Sequence, residues 1–157
     1  PNDPSAPSKA AYNWYPGHMA KALREIKEKL KMIDIVLEIR DARAPLASGN
    51  RAMSEAIGQK SRLIVFNKLN LADPEIVAKW ESWFQEEGVP FIFVNGLDKP
   101  VLKKVVTLAR KIVEEKRLQS NPDQDPKRDK LRLMILGLPN TGKSTIINQL
   151  AGKNATK

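Results

Sequence analysis

The feature that most restricts the fold is an octet near the end of the chain, GLPNTGKS at residues 137–144, which fits the phosphate-loop pattern GxxxxGK[ST]. A mostly apolar run, residues 131–136, precedes it, and Ile146, Ile147 and Leu150 follow it at helical spacing. The pattern therefore predicts a strand, a glycine-rich turn and a helix in succession, which is the context that a phosphate-binding loop needs.

The residue types in this phosphate loop suit a phosphate ligand. Gly137 and Gly142 permit backbone conformations and close approaches that let successive amide hydrogens point at phosphate oxygens. Lys143 adds a positive charge for the β- and γ-phosphates, Ser144 can offer its hydroxyl to Mg²⁺, and the helix N-terminus that begins there favours anions. From this part of the chain, the residues expected to bind a nucleotide are Asn140, Thr141, Gly142, Lys143, Ser144 and Thr145.

A second motif, NKLN at residues 67–70, follows the apolar run at residues 63–66. It resembles the Asn-Lys-x-Asp motif with which GTPases recognise guanine, with Leu69 at the variable position and Asn70 in place of the aspartate. By that resemblance, Asn67 reaches the base edge and the phosphate loop, and the stem of Lys68 lies along the base plane. Asn and Lys are also ordinary residues of a loop after a strand.

The base motif precedes the phosphate loop, which reverses the common order in GTPases. With the segments WYPGHMAKA at residues 14–22 and RDARAP at residues 40–45, this order resembles the YlqF/RbgA family of circularly permuted ribosome-assembly GTPases. The likeness covers residues 12–157 as one GTPase domain, after a disordered leader at residues 1–11 and with a permutation linker at residues 120–130. Asn95 and Gly96 lie where the family has its second base-contacting loop.

The resemblance implies a GTPase that hydrolyses GTP to GDP and phosphate with Mg²⁺ and acts in maturation of the large ribosomal subunit, with nucleotide-controlled binding to rRNA. It assigns catalysis to Lys143 and links His18 to activation of hydrolysis, and it places Asn140 beside a K⁺ ion. Without the resemblance, His18 is better read as a capping or packing residue at a helix start.

Two alternatives stay open. The chain could be a nucleotide-dependent RNA- or ribosome-binding module with little hydrolysis of its own. It could also be an ATP-using phosphate-loop protein in which the motif at residues 67–70 is accidental.

A GTPase also needs a switch threonine and an Asp-x-x-Gly turn after the phosphate-loop helix, to hold Mg²⁺ and the γ-phosphate. The chain reaches Lys157 before either appears. We therefore expect a domain truncated before its switch regions.

Composition agrees with one globular domain, since 157 residues suffice for a packed core and 41% are hydrophobic. Lysine and arginine number 27 against 18 acidic residues, and the net charge of +9 favours a polyanionic partner. The chain has no cysteine, which excludes disulfides and thiolate metal sites, and no apolar stretch of membrane-spanning length. We expect a monomer in the bacterial cytoplasm or in an organellar matrix or stroma.

Apolar periodicity predicts that helices and strands alternate, with helices at residues 17–31, 50–57, 74–87, 100–117 and 143–152, and strands at residues 33–39, 63–66, 91–94 and 132–136. This alternation implies an α/β fold with a doubly wound, mostly parallel sheet, whose ligands bind beyond the carboxyl ends of the strands. Each motif follows a predicted strand, so we expect one crevice to collect them. Asp41 and Arg43 also fit a loop-fixing role, because aspartate at a strand end commonly bonds nearby amides.

Overall fold

The computed structural model describes residues 16–123, 125 and 130–155. Its helices are α1 (Pro16–Leu30), α2 (Arg51–Ile57), α3 (Pro74–Glu87), α4 (Lys99–Ser120) and α5 (Lys143–Ala155), and its strands are β1 (Ile35–Asp41), β2 (Arg62–Asn67), β3 (Phe91–Phe93) and β4 (Leu133–Gly137). The sequence pattern predicted each of these elements, with ends displaced by at most three residues. The predicted leader, Trp14 and Tyr15 of the N-terminal motif, and residues 124 and 126–129 of the predicted linker lie outside the described residues.

The four strands form one parallel sheet in the order β3-β2-β1-β4. The inner strands are β2 and β1, and in β1 Leu37 lies opposite Leu63 of β2 on one side and Ile135 of β4 on the other. Since all four strands run in the same direction, their carboxyl ends meet at one edge of the sheet. The predicted α/β fold with a parallel sheet is confirmed, and the base motif and the phosphate loop both leave from that edge.

Helices cover both faces of the sheet. On one face, Leu102 and Val105 of α4 and Ile146 of α5 are fully buried against β1 and β2. On the other face, Leu30 of α1 and Met53 of α2 pack together beside β1 and β4, and α3 covers the β2–β3 side through Phe84, whose ring centroid lies 4.9 Å from that of Phe66. No helix among the described residues is long and apolar enough to span a membrane.

Local signals set the helix ends. Asp73 caps α3, with Pro74 in its first turn, and Asp98 caps α4 by accepting a hydrogen bond from the N–H of Val101 at 2.9 Å. Helix α4 continues to Ser120, three residues further than predicted, because helix-forming residues run on until Asn121. The predicted permutation linker at residues 120–130 therefore starts at the last residue of this helix.

Candidate nucleotide-binding site

The amide group of Asn67, at the end of β2, holds the loops of the site together. Its side chain is buried, with the residue only 6% exposed. Its Nδ2 donates to the carbonyl oxygen of Thr141 at 3.0 Å, and its Oδ1 accepts the N–H of Gly96 at 3.2 Å. Its main-chain carbonyl accepts the N–H of Ala42 at 2.7 Å. One residue thus bonds the loops that follow β1, β3 and β4.

Lys68 adds a second link between the base motif and the phosphate loop. Its Nζ donates to the carbonyl oxygen of Asn140 and lies 3.8 Å from Oδ2 of Asp41. Its backbone is left-handed, with φ of 63°, which costs a non-glycine residue roughly 1–2 kcal/mol. The contacts of the side chain and of the neighbouring Asn67 hold this conformation in place.

Two glycines of the phosphate loop are required for different reasons. Gly142 has φ of 101°, and a Cβ there would overlap Nδ2 of Asn67. At Gly137, a Cβ would lie 2.8 Å from the carbonyl oxygen of Ile39, so glycine lets β4 end close against β1. Asn140 is also left-handed, with φ of 65°. The loop therefore needs glycine both because neighbouring groups pack closely against it and because its backbone is left-handed.

Thr141 acts through its main chain. The residue is buried, and its Oγ1 donates to the carbonyl oxygen of Leu138 at 2.8 Å, so the hydroxyl closes the loop on itself. Helix α5 starts at Lys143, and its first amides have no acceptor within the helix. These amides, the Lys143 ammonium group and the exposed hydroxyl of Ser144 are the groups available to an anionic ligand.

A cavity of about 800 Å³ lies over the phosphate loop, and this volume is typical of small-molecule sites. The predicted residues that line it are Lys68, Asn140, Gly142, Lys143, Ser144 and Thr145. Asn67 and Thr141 are buried and bonded to each other, and Thr141 also donates to the lining residue Leu138. Leu69, Asn70, Asn95, Gly96 and His18 are not among its lining residues.

The residues outside the cavity have other positions. Asn70 is exposed on a short 3₁₀ turn, Leu69–Leu71, and its side chain makes no hydrogen bond with the described residues. The N–H of Leu69 donates to the carbonyl oxygen of Val94 at 3.0 Å, which joins this turn to the end of β3. Asn95 is exposed beside it, and His18 is exposed on α1, next to the lining residue Met19.

The sequence pattern did not predict the part that α1 has in the site. Met19, Leu23 and Ile26 line the cavity together with Met53 of α2. Their helical spacing predicted only that they share one face of a helix. An amphipathic pattern cannot show whether its apolar face meets the sheet or a cavity.

Asp41 was expected to fix its own loop, and it does so while also approaching the base motif. Its Oδ1 accepts the main-chain N–H of Arg43 at 2.9 Å and Nε of Arg43 at 3.0 Å, and its Oδ2 accepts Nη2 at 2.8 Å. These hydrogen bonds hold the pKa of Asp41 below its ordinary value, and the charge of Lys68 acts in the same direction. The proximity to Lys68 carries no local sequence signal, because it joins separate loops.

The part of the chain that the structure describes contains no group of three or more His, Cys, Asp or Glu residues placed to hold a metal ion. Ser144, an exposed residue that lines the cavity, carries a hydroxyl oxygen that can bind a metal ion. Mg²⁺ in nucleotide sites is bound by few protein groups together with phosphate oxygens and water. The residues present thus fit Mg²⁺ that is bound together with a nucleotide.

Known proteins resemble this chain in sequence and in structure. A family model described as 50S ribosome-binding GTPase matches residues 132–157. Ribosome biogenesis GTPase A of Bacillus pumilus is 42% identical over 144 residues, which are 92% of this chain and 51% of the relative. Mitochondrial ribosome-associated GTPase 1 of Xenopus tropicalis is 34% identical over 140 residues, or 88% and 43% of the two chains.

The crystal structure of GNP-bound YlqF from T. maritima has a TM-score of 0.57 to this chain at 32% identity, and the match covers 85% of this chain and 48% of that one. The chain therefore spans about half the length of the relatives that it matches. The likeness in sequence and in structure extends over 85–92% of this chain. The chain belongs to the YlqF/RbgA family of circularly permuted ribosome-assembly GTPases.

Proposed function

We propose that this chain is the guanine-nucleotide-binding part of a protein that hydrolyses GTP to GDP and phosphate during assembly of the large ribosomal subunit. One observation carries the proposal: Asn67 and Lys68 donate hydrogen bonds to Thr141 and Asn140, 74 and 72 residues further along the chain. An accidental loop motif has no reason to be bonded to the phosphate loop. These contacts favour guanine binding over the alternative in which an ATP-using protein carries the motif by chance.

In the proposed complex, the amides at the start of α5 and the Lys143 ammonium group bind the β- and γ-phosphates. The hydroxyl of Ser144 holds Mg²⁺, which neutralises charge on those phosphates when it is bound. The base lies beside Lys68, with Asn70 at its edge. The turn that contains Leu69 and the loop that contains Asn95 and Gly96 surround it. Thr145 belongs to the same phosphate-binding turn.

Lys68 donates to the main-chain carbonyl of Asn140, and the side chain of Asn140 makes no hydrogen bond with the described residues. Its side-chain oxygen is therefore free to join a K⁺ site beside the phosphates. His18 remains our candidate for stimulating hydrolysis on the ribosome, since it lies one residue from Met19 at the cavity. Catalysis would then come from positioning and charge neutralisation around the γ-phosphate.

Nucleotide choice can be measured with the fluorescent analogues mant-GDP and mant-ADP. We expect mant-GDP to bind and mant-ADP to bind at least tenfold more weakly, and we expect Lys143→Ala to abolish both signals. Lys79→Ala is the matched control, because Lys79 is an exposed lysine on α3, away from the cavity. Preferential binding of mant-ADP would contradict the guanine assignment.

The proposed partner is the large ribosomal subunit, met through its rRNA, with the protein acting as a monomer in the bacterial cytoplasm or in an organellar matrix or stroma. The net charge of +9 supports a polyanionic partner, and the names of the bacterial and mitochondrial relatives support the ribosome. Binding to the subunit can be tested by sedimenting the complete protein with salt-washed subunits in the presence of a GTP analogue or of GDP. GTP hydrolysis should also be measured with and without subunits. If subunits do not raise its rate, the binding-module alternative is favoured.

A further inference from the structure

The helices on the two faces of the sheet differ in charge. Helix α3 carries four glutamates and one lysine, a net charge of −3. On the opposite face, residues 99–111 of α4 contain no acidic residue and five basic ones. We call these five the basic face of α4: Lys99, Lys103, Lys104, Arg110 and Lys111.

Among the described residues, the basic face of α4 has no acidic partner. Its four lysines are exposed and its arginine is half-buried, and none of the five lies within an ion-pair distance of a carboxylate in the described part of the chain. Exposed lysines of α1, among them Lys21, Lys27 and Lys29, also lie outside ion-pair distance of a carboxylate of the described residues, but α1 carries two glutamates beside its four basic residues. The excess of basic over acidic residues is largest on α4, which has seven basic and two acidic residues.

Lys99, at the start of α4, opposes the helix dipole. The N-terminal end of a helix is positive, so a cation in the first turn is unfavourable by up to about 1 kcal/mol. The first turn of α4 has no acidic residue, and Lys103 and Lys104 follow in the second turn. Helix stability does not explain Lys99, whereas an anionic partner would offset both the dipole there and the mutual repulsion of the three lysines.

The helix presents this face rigidly and next to the nucleotide site. Leu102, Val105 and Ala109 are fully buried on its inner side, which keeps the basic face turned outward. Lys99 follows Gly96 by three residues, and the N–H of Gly96 is bonded to Asn67. An anion bound at the start of α4 would therefore lie within one loop of the base motif.

The kind of anion follows from what this face lacks. None of the exposed large hydrophobic residues lies within residues 99–111, so the apolar anchors of a protein interface are missing. The face also has no aromatic side chain on which single-stranded bases could stack. Five cations spread over about 18 Å of helix suit a continuous row of phosphates.

We propose that the basic face of α4 binds the phosphate backbone of double-helical RNA, without reading its sequence. The identity of that RNA as ribosomal rests on the proposed function, whereas the binding surface rests on the charges described above. The surface adds an RNA contact that is separate from the phosphate loop and is joined to it through the loop at residues 95–98.

Fluorescence anisotropy with a labelled RNA hairpin tests the surface in the complete protein. We expect Lys103→Gln/Lys104→Gln/Lys111→Gln to weaken binding at least about tenfold, and to lower the slope of log affinity against log salt by about 2–3. The control is Lys21→Gln/Lys27→Gln/Lys29→Gln on α1, which removes the same charge from exposed lysines on the other face of the sheet. We expect this control to change binding less than threefold.

Equal losses in the two triple variants would show that only net charge matters, and a larger loss in the α1 variant would place the RNA on α1; either result overturns the proposal. So would wild-type protein that binds single-stranded RNA or an acidic peptide as tightly as the hairpin. Affinity for mant-GDP in the absence of RNA should be the same in wild type and both variants. If the wild type bound no mant-GDP but the α4 variant still lost the hairpin, the nucleotide proposal would fail and the RNA surface would stand.

Discussion

The side chain of Asn67 packs against the Cα of Gly142 so closely that no Cβ fits there, and this contact makes Gly142 more than a flexible turn residue. The φ of 101° at Gly142 is one that side-chain-bearing residues rarely adopt, and a Cβ there would displace the Asn67 amide. That amide is the group that joins the base motif to the phosphate loop. One glycine therefore sets both the shape of the phosphate loop and its attachment to β2.

Gly142→Ala should lower the free energy of unfolding by about 2–3 kcal/mol, since backbone strain adds to a lost buried hydrogen bond. It should also abolish binding of mant-GDP. Gly88→Ala is the control, because Gly88 has φ of 71° but nothing within 4 Å of a new Cβ. For the control, urea unfolding should show only the cost of backbone strain, about 1 kcal/mol. Titration with mant-GDP should show unchanged affinity for the control. Normal nucleotide binding by Gly142→Ala would contradict the packing argument.

Asn70 stands where the guanine motif has aspartate. An amide offers one acceptor where a carboxylate offers two, so one guanine donor would stay unpaired at a cost of about 1–3 kcal/mol. Asn70→Asp should therefore tighten GDP binding about tenfold or more. The side chain of Asn70 makes no hydrogen bond with the described residues that the change would break. Calorimetry with GDP and ADP measures the effect, and equal GDP affinity of the two proteins would refute the assigned role.

The pair of Asp41 and Arg43 makes stability depend on pH. Hydrogen bonds from Arg43 keep the pKa of Asp41 below its unfolded value of about 3.9, so the paired carboxylate stabilises the fold at neutral pH. This contribution is present above pH 4 and is lost as the pH falls through the lower pKa of the folded protein. Asp41→Asn should be less stable than wild type at pH 7, and the difference should shrink below pH 4. Arg43→Gln should behave in the same way in urea titrations, and a difference that is independent of pH would contradict the pairing.

At the scale of the element, the inner strand β1 contains a buried charge. Glu38 is 1% exposed and lies between Arg40, which donates to its Oε2, and Arg62, whose Nη1 lies 3.3 Å from its Oε1. Arg40 continues outward and donates to the carbonyl oxygen of Pro45 at 2.9 Å. The cluster thus ties the loop after β1 to the middle of the sheet, and through that loop it supports Asp41.

Glu38→Gln should destabilise the protein by about 3 kcal/mol, because it leaves the Arg40 guanidinium buried without its counter-charge. The same substitution at Glu55 is a matched control, since Glu55 pairs with Arg51 at 3.2 Å on the exposed surface of α2. We expect almost no change there, because exposed ion pairs contribute little. Comparable losses in the two variants, by chemical denaturation, would show that burial of the Glu38 cluster does not matter.

At the scale of the whole molecule, an early strand and a late strand of the described chain are neighbours in the sheet. Strand β4 pairs with β1, and Asp34 joins the start of both strands to α4 by accepting the N–H of Arg132 at 2.8 Å and Nη2 of Arg117 at 3.0 Å. The phosphate loop therefore follows a strand whose sheet is formed mostly by the earlier part of the chain. A ligand on this loop that also touches Lys68 holds the two parts together.

GDP at a hundred times its dissociation constant should raise the free energy of unfolding by about 2.7 kcal/mol. Hydrogen exchange should slow most in β4, in the first turn of α5 and in residues 67–71. Lys143→Ala should remove both effects at the same GDP concentration. Protection confined to the phosphate loop, with none at residues 67–71, would show that the base motif does not take part in binding.

The order of elements could be predicted from the sequence because the signals are local. Apolar runs, proline and aspartate at helix starts and the glycines of the phosphate loop each act within a few residues. The sequence also indicated which loops carry chemistry, since each motif follows a predicted strand. It could not show that Glu38 is buried between two arginines, because a glutamate within a strand ordinarily faces the solvent.

By itself, the sequence determined a parallel α/β domain with a phosphate loop and a base motif in permuted order. Tertiary structure alone decided that the Asn67 amide is shared between Thr141 and Gly96, that Lys68 reaches Asn140, and that α1 forms a wall of the cavity. It also decided that the basic residues of α4 face away from the sheet, since Leu102, Val105 and Ala109 are buried on its inner side. The physical reason is that helix and strand preferences act over neighbouring residues, whereas these contacts join groups that only the sheet order brings within hydrogen-bonding distance.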